Sequence, residues 1–407
     1  MTQAVEELDG LARLGPWQRR VGGLPRPFWY LWSGTLVNRL GSFVGPFLAL
    51  FLTRSRGFST VEAGLVLTCF GLGSALSQGF GGALADRIGR RRTMVGGLVS
   101  ASATLLLVGL AQSVWLLSLA VLLYGCCLDL FRPASQAAVA DLVVVADRPR
   151  AYGLLFWAVN LGFSVSAPVA GLLADHSYLW LFVGDAATSL VFAGLILRGV
   201  PETRPERPPG TAPGTFRDVL GDRLMLALVS CIVVQALVYM QAFSTLPLVF
   251  SADGLGPSRY GLCMGLNGLL IVVLQPFLLD LRGRFASGRV LLTANIILGI
   301  GFGLTAFAHD TPTHLAAISV WTVGEVLGTG ILGSIVASIS PPHLRGRYMG
   351  VFGTSFGVAA FLGPLLGTMV LAHLGENVLW AGCTVLCLIA GVGFRLVAQA
   401  ATRRVAA

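Results

Sequence analysis

The sequence contains no lysine, and charge of any kind is scarce. Only 12% of its 407 residues are charged, against roughly 25% in a soluble domain. So few charges cannot cover a water-facing surface, which argues against an ordinary soluble protein. HExxH and a Walker phosphate loop are also missing, and no catalytic carboxylate pair stands out. A membrane enzyme therefore finds no support in the sequence, and neither does an ATP-driven pump. No cofactor is expected. The seven cysteines lie in apolar stretches without metal-ligand spacing. Cys126, Cys127, Cys383 and Cys387 read as small buried hydrophobes, and no metal site is expected.

Long apolar runs take the place of charge. The chain is 55% hydrophobic, with a mean hydropathy of +0.78. Runs of 20 or more residues are long enough to cross a bilayer as helices. Backbone groups in lipid must pair within their own segment, so the runs are helices. The expectation is an all-α integral membrane protein with twelve transmembrane helices. Six spans are expected at 27–53, 58–82, 94–112, 114–143, 151–174 and 178–198. Six more are expected at 223–250, 258–280, 289–308, 313–339, 347–373 and 378–398. The first run, from Phe28 to Thr53, is too long for a signal h-region and follows an acidic tail (Glu6, Glu7, Asp9), so it reads as a retained helix.

Arginine sets the orientation. Arg87, Arg90, Arg91 and Arg92 follow span 2; Arg148 and Arg150 follow span 4. Arg282, Arg284 and Arg289 follow span 8; Arg345 and Arg347 follow span 10. The tail, the 201–222 linker and the C-terminus are also arginine-rich, while the opposite side holds only Arg54, Arg56 and Arg259. The positive-inside rule then places both termini in the cytoplasm. The net charge of +9 is explained as a topology signal, and nucleic-acid binding is not expected. The layout divides the chain into a cytoplasmic tail (1–26), a six-helix bundle (27–200), a cytoplasmic linker (201–222), a second bundle (223–400) and a tail (401–407).

The two bundles repeat. Asp86-Arg-Ile-Gly89-Arg90 matches Asp280-Leu-Arg-Gly283-Arg284. Arg150-Ala-Tyr152-Gly153 matches Arg347-Tyr348-Met-Gly350, and Pro168-x-x-Gly171 matches Pro364-x-x-Gly367. The matched positions lie 194 to 197 residues apart. Repeats of this kind are typical of secondary transporters, whose substrate site lies at the midplane between the halves.

The stretch from Gly81 through Gly82, Asp86, Arg87 and Gly89 to Arg92 resembles the helix 2–3 signature of the major facilitator superfamily. The twelve-span layout extends the resemblance over nearly the whole chain. It implies two pseudo-symmetric six-helix bundles. It also implies that Asp86 sits near the N-terminus of span 11 when the transporter opens outward, where the helix dipole favours an acid. Arg90 is implied to pair with Asp141 at the cytoplasmic end of span 4. The repeat mates Asp280 and Arg284 complete this gating set. The simpler reading is that these charges only enforce topology. Within the superfamily the chain resembles the twelve-helix drug:proton antiporters. Span 5 carries Ala167-Pro168-x-x-Gly171 for the antiporters' Gly-Pro-x-x-Gly-Gly, and span 11 carries Gly363-Pro364-x-x-Gly367. Arg132-Pro-Ala-Ser-Gln136 in span 4 lies one residue off the family's Arg-x-x-Gln-Gly.

Charges within spans are expensive, about 2.5–3.5 kcal/mol at the bilayer centre on insertion scales. Span 1 has Asn38-Arg39, span 4 Asp129 and Arg132, span 6 Asp185 and span 10 Glu325. Asp129 and Glu325 lie 196 residues apart, at equivalent depths of the repeat. Asp129 has Arg132 at i+3, on the same helix face. Glu325 has no basic residue in its span. A buried carboxyl without a cationic partner is suited to taking up and releasing a proton. Glu325 is therefore the expected proton-coupling group, with Asp129, Arg132 and Arg39 as a charge network. A static bridge from Glu325 to Arg39 or Arg132 is the alternative. Candidate cavity residues are Asn38, Trp157, Asn160, Gln235, Tyr239, Asn267 and Trp321; each taken alone reads first as a hydrogen bond between helices and only second as a substrate contact.

The resulting expectation is a monomeric, proton-coupled exporter of small hydrophobic or cationic compounds in a bacterial cytoplasmic membrane, working by alternating access. Its partners would be the cargo, protons and the lipid bilayer. A proton symporter or facilitator for a nutrient, or a lipid flippase, are the rivals.

Overall fold

A computed structural model describes residues 22–144, 147–203, 219–282, 284–341 and 344–406. Among them are twelve helices long and apolar enough to span a membrane. They are α1 (Arg26–Ser55), α2 (Thr60–Ile88), α3 (Arg90–Leu110), α4 (Val114–Leu142), α5 (Arg148–His176) and α6 (Leu179–Gly199). The second six are α7 (Arg223–Ala252), α8 (Pro257–Arg282), α9 (Ser287–Phe307), α10 (Thr311–Ile339), α11 (Arg345–Leu374) and α12 (Glu376–Ala406). The all-helical, twelve-span architecture is thus the one read from hydropathy. Side-chain caps start several helices. Ser59 and Glu62 form a capping box on α2, Asp310 and Thr313 form one on α10, and Asp222 caps α7 through Leu224 N.

Spans expected to be continuous are broken in α1 and α10, and α7 is interrupted at the single residue Thr245. In α1 the break follows Leu40, and the helix resumes as Val44–Leu50 and ends in a π-turn, Phe51–Ser55. The reason lies in α6. A Cβ on Gly41 would fall 2.1 Å from Thr188 Oγ1, and Asp185 Oδ2 accepts the Val44 N–H at 3.3 Å. Asp185 therefore caps the second half of α1. In α10 the break follows Gly328, at Thr329 and Gly330. Gly330 has φ of +79°, a conformation that side chains disfavour.

Helices α1 to α6 pack among themselves, as do α7 to α12, and the two groups meet along α2–α11 and α5–α8. Close approaches on this seam sit toward the end away from the termini. A Cβ on Gly71 of α2 would lie 2.2 Å from the Ala360 backbone of α11, and one on Gly261 of α8 2.3 Å from Ala167 O of α5. Arg54 bridges the same end, donating from Nε to Ser251 Oγ at 2.8 Å and from Nη2 to Leu255 O at 3.1 Å. The buried clusters follow the same division. One joins both halves at this far end, including Phe47, Phe51, Phe250 and Tyr260. Toward the termini the cores separate, one around Phe28, Leu31 and Phe192, the other around Met225, Tyr348 and Phe394. The described halves are closed on each other at the far end.

Candidate functional site

Glu325 stands midway along α10, one turn before the helix break. Its backbone carbonyl accepts from Thr329 N at 3.1 Å and Thr329 Oγ1 at 2.8 Å, so the break begins on Glu325 itself. Its side chain is only partly buried and is held by two neutral donors. Tyr239 Oη of α7 donates to Oε1 at 3.0 Å, and Asn267 Nδ2 of α8 donates to Oε2 at 3.0 Å. Asn267 Nδ2 also lies 2.9 Å from Thr322 Oγ1, one turn back on α10. The carboxylate therefore ties three helices of the second half together. No arginine pairs with it among the described residues, so the static bridge to Arg39 or Arg132 is absent.

Aromatic rings extend from this carboxylate toward the other half. Tyr239 meets Trp321 edge-on at 6.5 Å between centroids and Phe243 at 5.6 Å. Phe243 in turn meets Phe163 of α5 at 6.3 Å. Trp321 is buried and stacks on Phe302 at 5.3 Å, so it is a wall behind the site. Gln235, one turn before Tyr239, donates to Asn295 Oδ1 at 3.1 Å. Neutral donors around an acid, backed by rings, can hold a cation or a proton on that acid; rings attract cations through their electron-rich faces.

Among the described side chains of the first half, Asn38, Trp157 and Asn160 do not gather in this way. Asn38 donates to Ser189 Oγ at 2.8 Å, a bond between α1 and α6. Asn160 donates to Phe156 O of its own helix at 2.9 Å, and Trp157 is half-buried on the same helix. Arg39 lies close enough to Asp185 for their charges to interact, and Arg132 is exposed on α4. The side chains of Asp129, Asp86 and Asp280, and the surroundings of Gly82, lie outside the described residues. Arg90 Nε is 3.6 Å from Asp141 Oδ2, an ion pair too long for a hydrogen bond. Arg87 and Arg284 are exposed. Gly89, with φ of +104°, leaves room for Glu202, whose carboxylate accepts from Arg91 N at 3.0 Å and caps α3. Sequence reasoning missed Glu202, Thr322, Phe243 and Phe163. Thr322 and Phe243 had a usable signal, since they lie three and four residues from Glu325 and Tyr239 on one helix face.

The two proline motifs serve as packing surfaces. Pro168 of α5 faces Gly265 of α8 across the seam, whereas Gly363 and Gly367 of α11 face Met240 and Gln241 of α7.

Known proteins align with this architecture. The profile of the Major Facilitator Superfamily matches residues 31–285 and 242–406. The MFS-type transporter YqjV of Bacillus subtilis is 26% identical over 362 residues, covering 86% of this chain and 87% of its own. A Na(+), Li(+), K(+)/H(+) antiporter of Planococcus maritimus is 25% identical, covering 82% of this chain and 89% of its own. Multidrug resistance protein MdtH of Yersinia pestis is 25% identical, covering 79% and 81%. The crystal structure of a POT family transporter with 5-aminolevulinic acid superposes with a TM-score of 0.80 at 13% identity, over 94% of this chain and 98% of that one.

Proposed function

Since the chain belongs to the major facilitator superfamily and is a multi-pass membrane transporter of small molecules, not an enzyme, we propose that it is a proton-driven exporter of small cationic or hydrophobic compounds, with Glu325 as the coupling acid. The observation that carries this reading is the environment of Glu325. It is held by Tyr239 and Asn267 and by no arginine, so protonating it leaves no buried cation stranded. A bound cation and a bound proton compete for the one carboxylate. A proton arriving from outside neutralises the acid and releases the cargo there; the proton leaves to the inside, and the carboxylate is ready for the next cargo. The matched cation/H(+) antiporter supports the exchange, and the matched multidrug resistance protein supports the cargo class.

Orientation follows from the arginines, which cluster at the terminal end and place it in the cytoplasm of a bacterial cell. The closed far end then faces outward, and the described conformation is inward-facing. The chain acts as a monomer, with 27–200 and 223–400 as its two rocking bundles. The Arg90–Asp141 pair belongs to the latch between states. The test is transport in inverted vesicles with Glu325→Gln. The variant should insert and still bind hydrophobic cargo, yet lose proton-driven accumulation. Accumulation equal to wild type would overturn the assignment. Cargo and protons moving in the same direction would make the protein a symporter.

A further inference from the structure

Thr322 is wholly buried on α10, one turn before Glu325. Its hydroxyl proton is committed, since Oγ1 donates to Ile318 O at 2.6 Å. Toward α8 the oxygen therefore presents lone pairs, which only a donor can fill. Asn267, itself buried, meets it there with Nδ2 at 2.9 Å and reaches Glu325 Oε2 with the same nitrogen at 3.0 Å. The two N–H groups of one amide thus serve two acceptors on one face of α10, where residues three apart are neighbours. Turning the amide over would point Asn267 Oδ1 at both acceptors. Thr322 would then have to take its proton from Ile318 O and give it to Oδ1. Thr322 makes two hydrogen bonds with the amide as it stands and one with the amide reversed, so it holds Asn267 as a donor.

A fixed donor acts differently on the two forms of Glu325. The carboxylate accepts from Asn267 at Oε2 and from Tyr239 at Oε1. The carboxylic acid needs an acceptor for its own proton, and Asn267 Nδ2 offers none at Oε2. A phenol both donates and accepts, so Tyr239 Oη can turn to receive a proton carried on Oε1. The two oxygens of one carboxyl are therefore not equivalent. Among the described residues Tyr239 is the titratable side chain that contacts this carboxyl. From α9, Ala294 and Leu298 press on α10 at Gly324 and bring no charge. Of the intramembrane charges in the first half, neither Arg39 nor Arg132 pairs with Glu325, Asp185 faces the break in α1, and the Asp129 side chain lies outside the described residues.

We propose that Thr322 is a positioning residue for proton coupling: by holding Asn267 as a donor it favours the ionised form of Glu325 and leaves proton exchange to the oxygen that faces Tyr239. This rests on Glu325 being the coupling acid. Infrared difference titration of the full-length protein in liposomes reads the protonated-carboxyl band that Glu325→Gln removes, and it needs no cargo. Thr322→Val keeps the shape of the side chain and loses the oxygen, so Asn267 becomes free to turn Oδ1 toward the acid. The midpoint of the band should rise by about 0.5–1 pH unit, roughly a three- to tenfold gain in proton affinity. Thr322→Ser, which keeps the hydroxyl, should match wild type. In an Asn267→Ala background Thr322→Val should move the midpoint no further, whereas a general packing effect would persist there. Thr322→Ala carries the same prediction if the valine variant does not fold. An unmoved midpoint, or an equal shift without Asn267, would refute the role of Thr322. If Glu325→Gln removes no band at any pH, Glu325 is not the coupling acid, and this inference falls with it.

Discussion

Gly71→Ala tests the closed seam between the halves. The new methyl would lie 2.2 Å from the carbonyl carbon and oxygen of Ala360 and 2.3 Å from Phe361 N. These are backbone atoms of α11 and cannot rotate aside, so α2 and α11 must separate by more than about 1 Å to reach normal contact. Overpacking of this kind costs about 1–3 kcal/mol. Alanine also improves helix propensity by up to about 1 kcal/mol. That gain is the same in both conformations and cancels from their ratio. The clash penalises only the state closed at the far end, so the equilibrium should move roughly 5- to 150-fold toward the state open there. The assay places one reporter, Leu67→Cys, in the core that joins both halves at that end, on a background without the native cysteines. Labelling by a membrane-impermeant maleimide from the far side should speed up by at least about fivefold. Gly96→Ala is the control, because nothing lies within 4 Å of its Cβ. An unchanged rate in a variant that folds with a normal melting temperature would show that this seam does not move, and rocking about it would be refuted.

Other substitutions probe the polar joints. Asp185→Ala strips the acceptor from the buried Val44 N–H and should destabilise the protein by about 1–3 kcal/mol. Asp185→Asn, which still accepts, should lose less; equal melting temperatures in detergent would show that the break in α1 does not need its cap. Asp222 accepts from Tyr348 Oη at 2.8 Å and Arg404 Nη1 at 2.7 Å, tying α7, α11 and α12 together. Burial pushes its carboxyl up, but the hydrogen bonds from Arg404, Tyr348 and Met225 N prevail, and it sits below the ordinary aspartate range. A carboxyl lowered by folding stabilises above its unfolded value, near pH 4, and loses that contribution as pH falls through its folded value. Asp222→Asn should therefore cost about 1 kcal/mol at neutral pH, since Arg404 is partly exposed. The deficit should shrink in acid, and a pH-independent deficit would rule out the charge as its source.

Some of this arrangement was legible beforehand because single residues carried it. Glu325 stood out as the acid in a span with no basic neighbour, and its lack of an arginine partner is what the described residues show. The partners themselves were not legible. Tyr239 and Asn267 come from α7 and α8, and each reads alone as one more polar residue inside an apolar span. Asp185 looked like a charge needing a functional role, yet it caps a break in another helix 141 residues away. The break had no marker strong enough to find, because Gly41 resembles the many glycines that merely let helices approach.

The sequence by itself determined the number of spans, their order and the side bearing the arginines. Hydrocarbon thickness sets helix length, and charge is too costly inside lipid to be placed at random. It also determined that the chain repeats, since matched motifs at one offset need no coordinates to be seen. The facing of each helix was left open. A membrane span is apolar toward both lipid and protein, so the amphipathic signal that orients helices in water is largely erased. Only the tertiary structure decided that Tyr239 and Asn267 converge on Glu325, that the halves close at the far end, and that α10 breaks one turn beyond the acid.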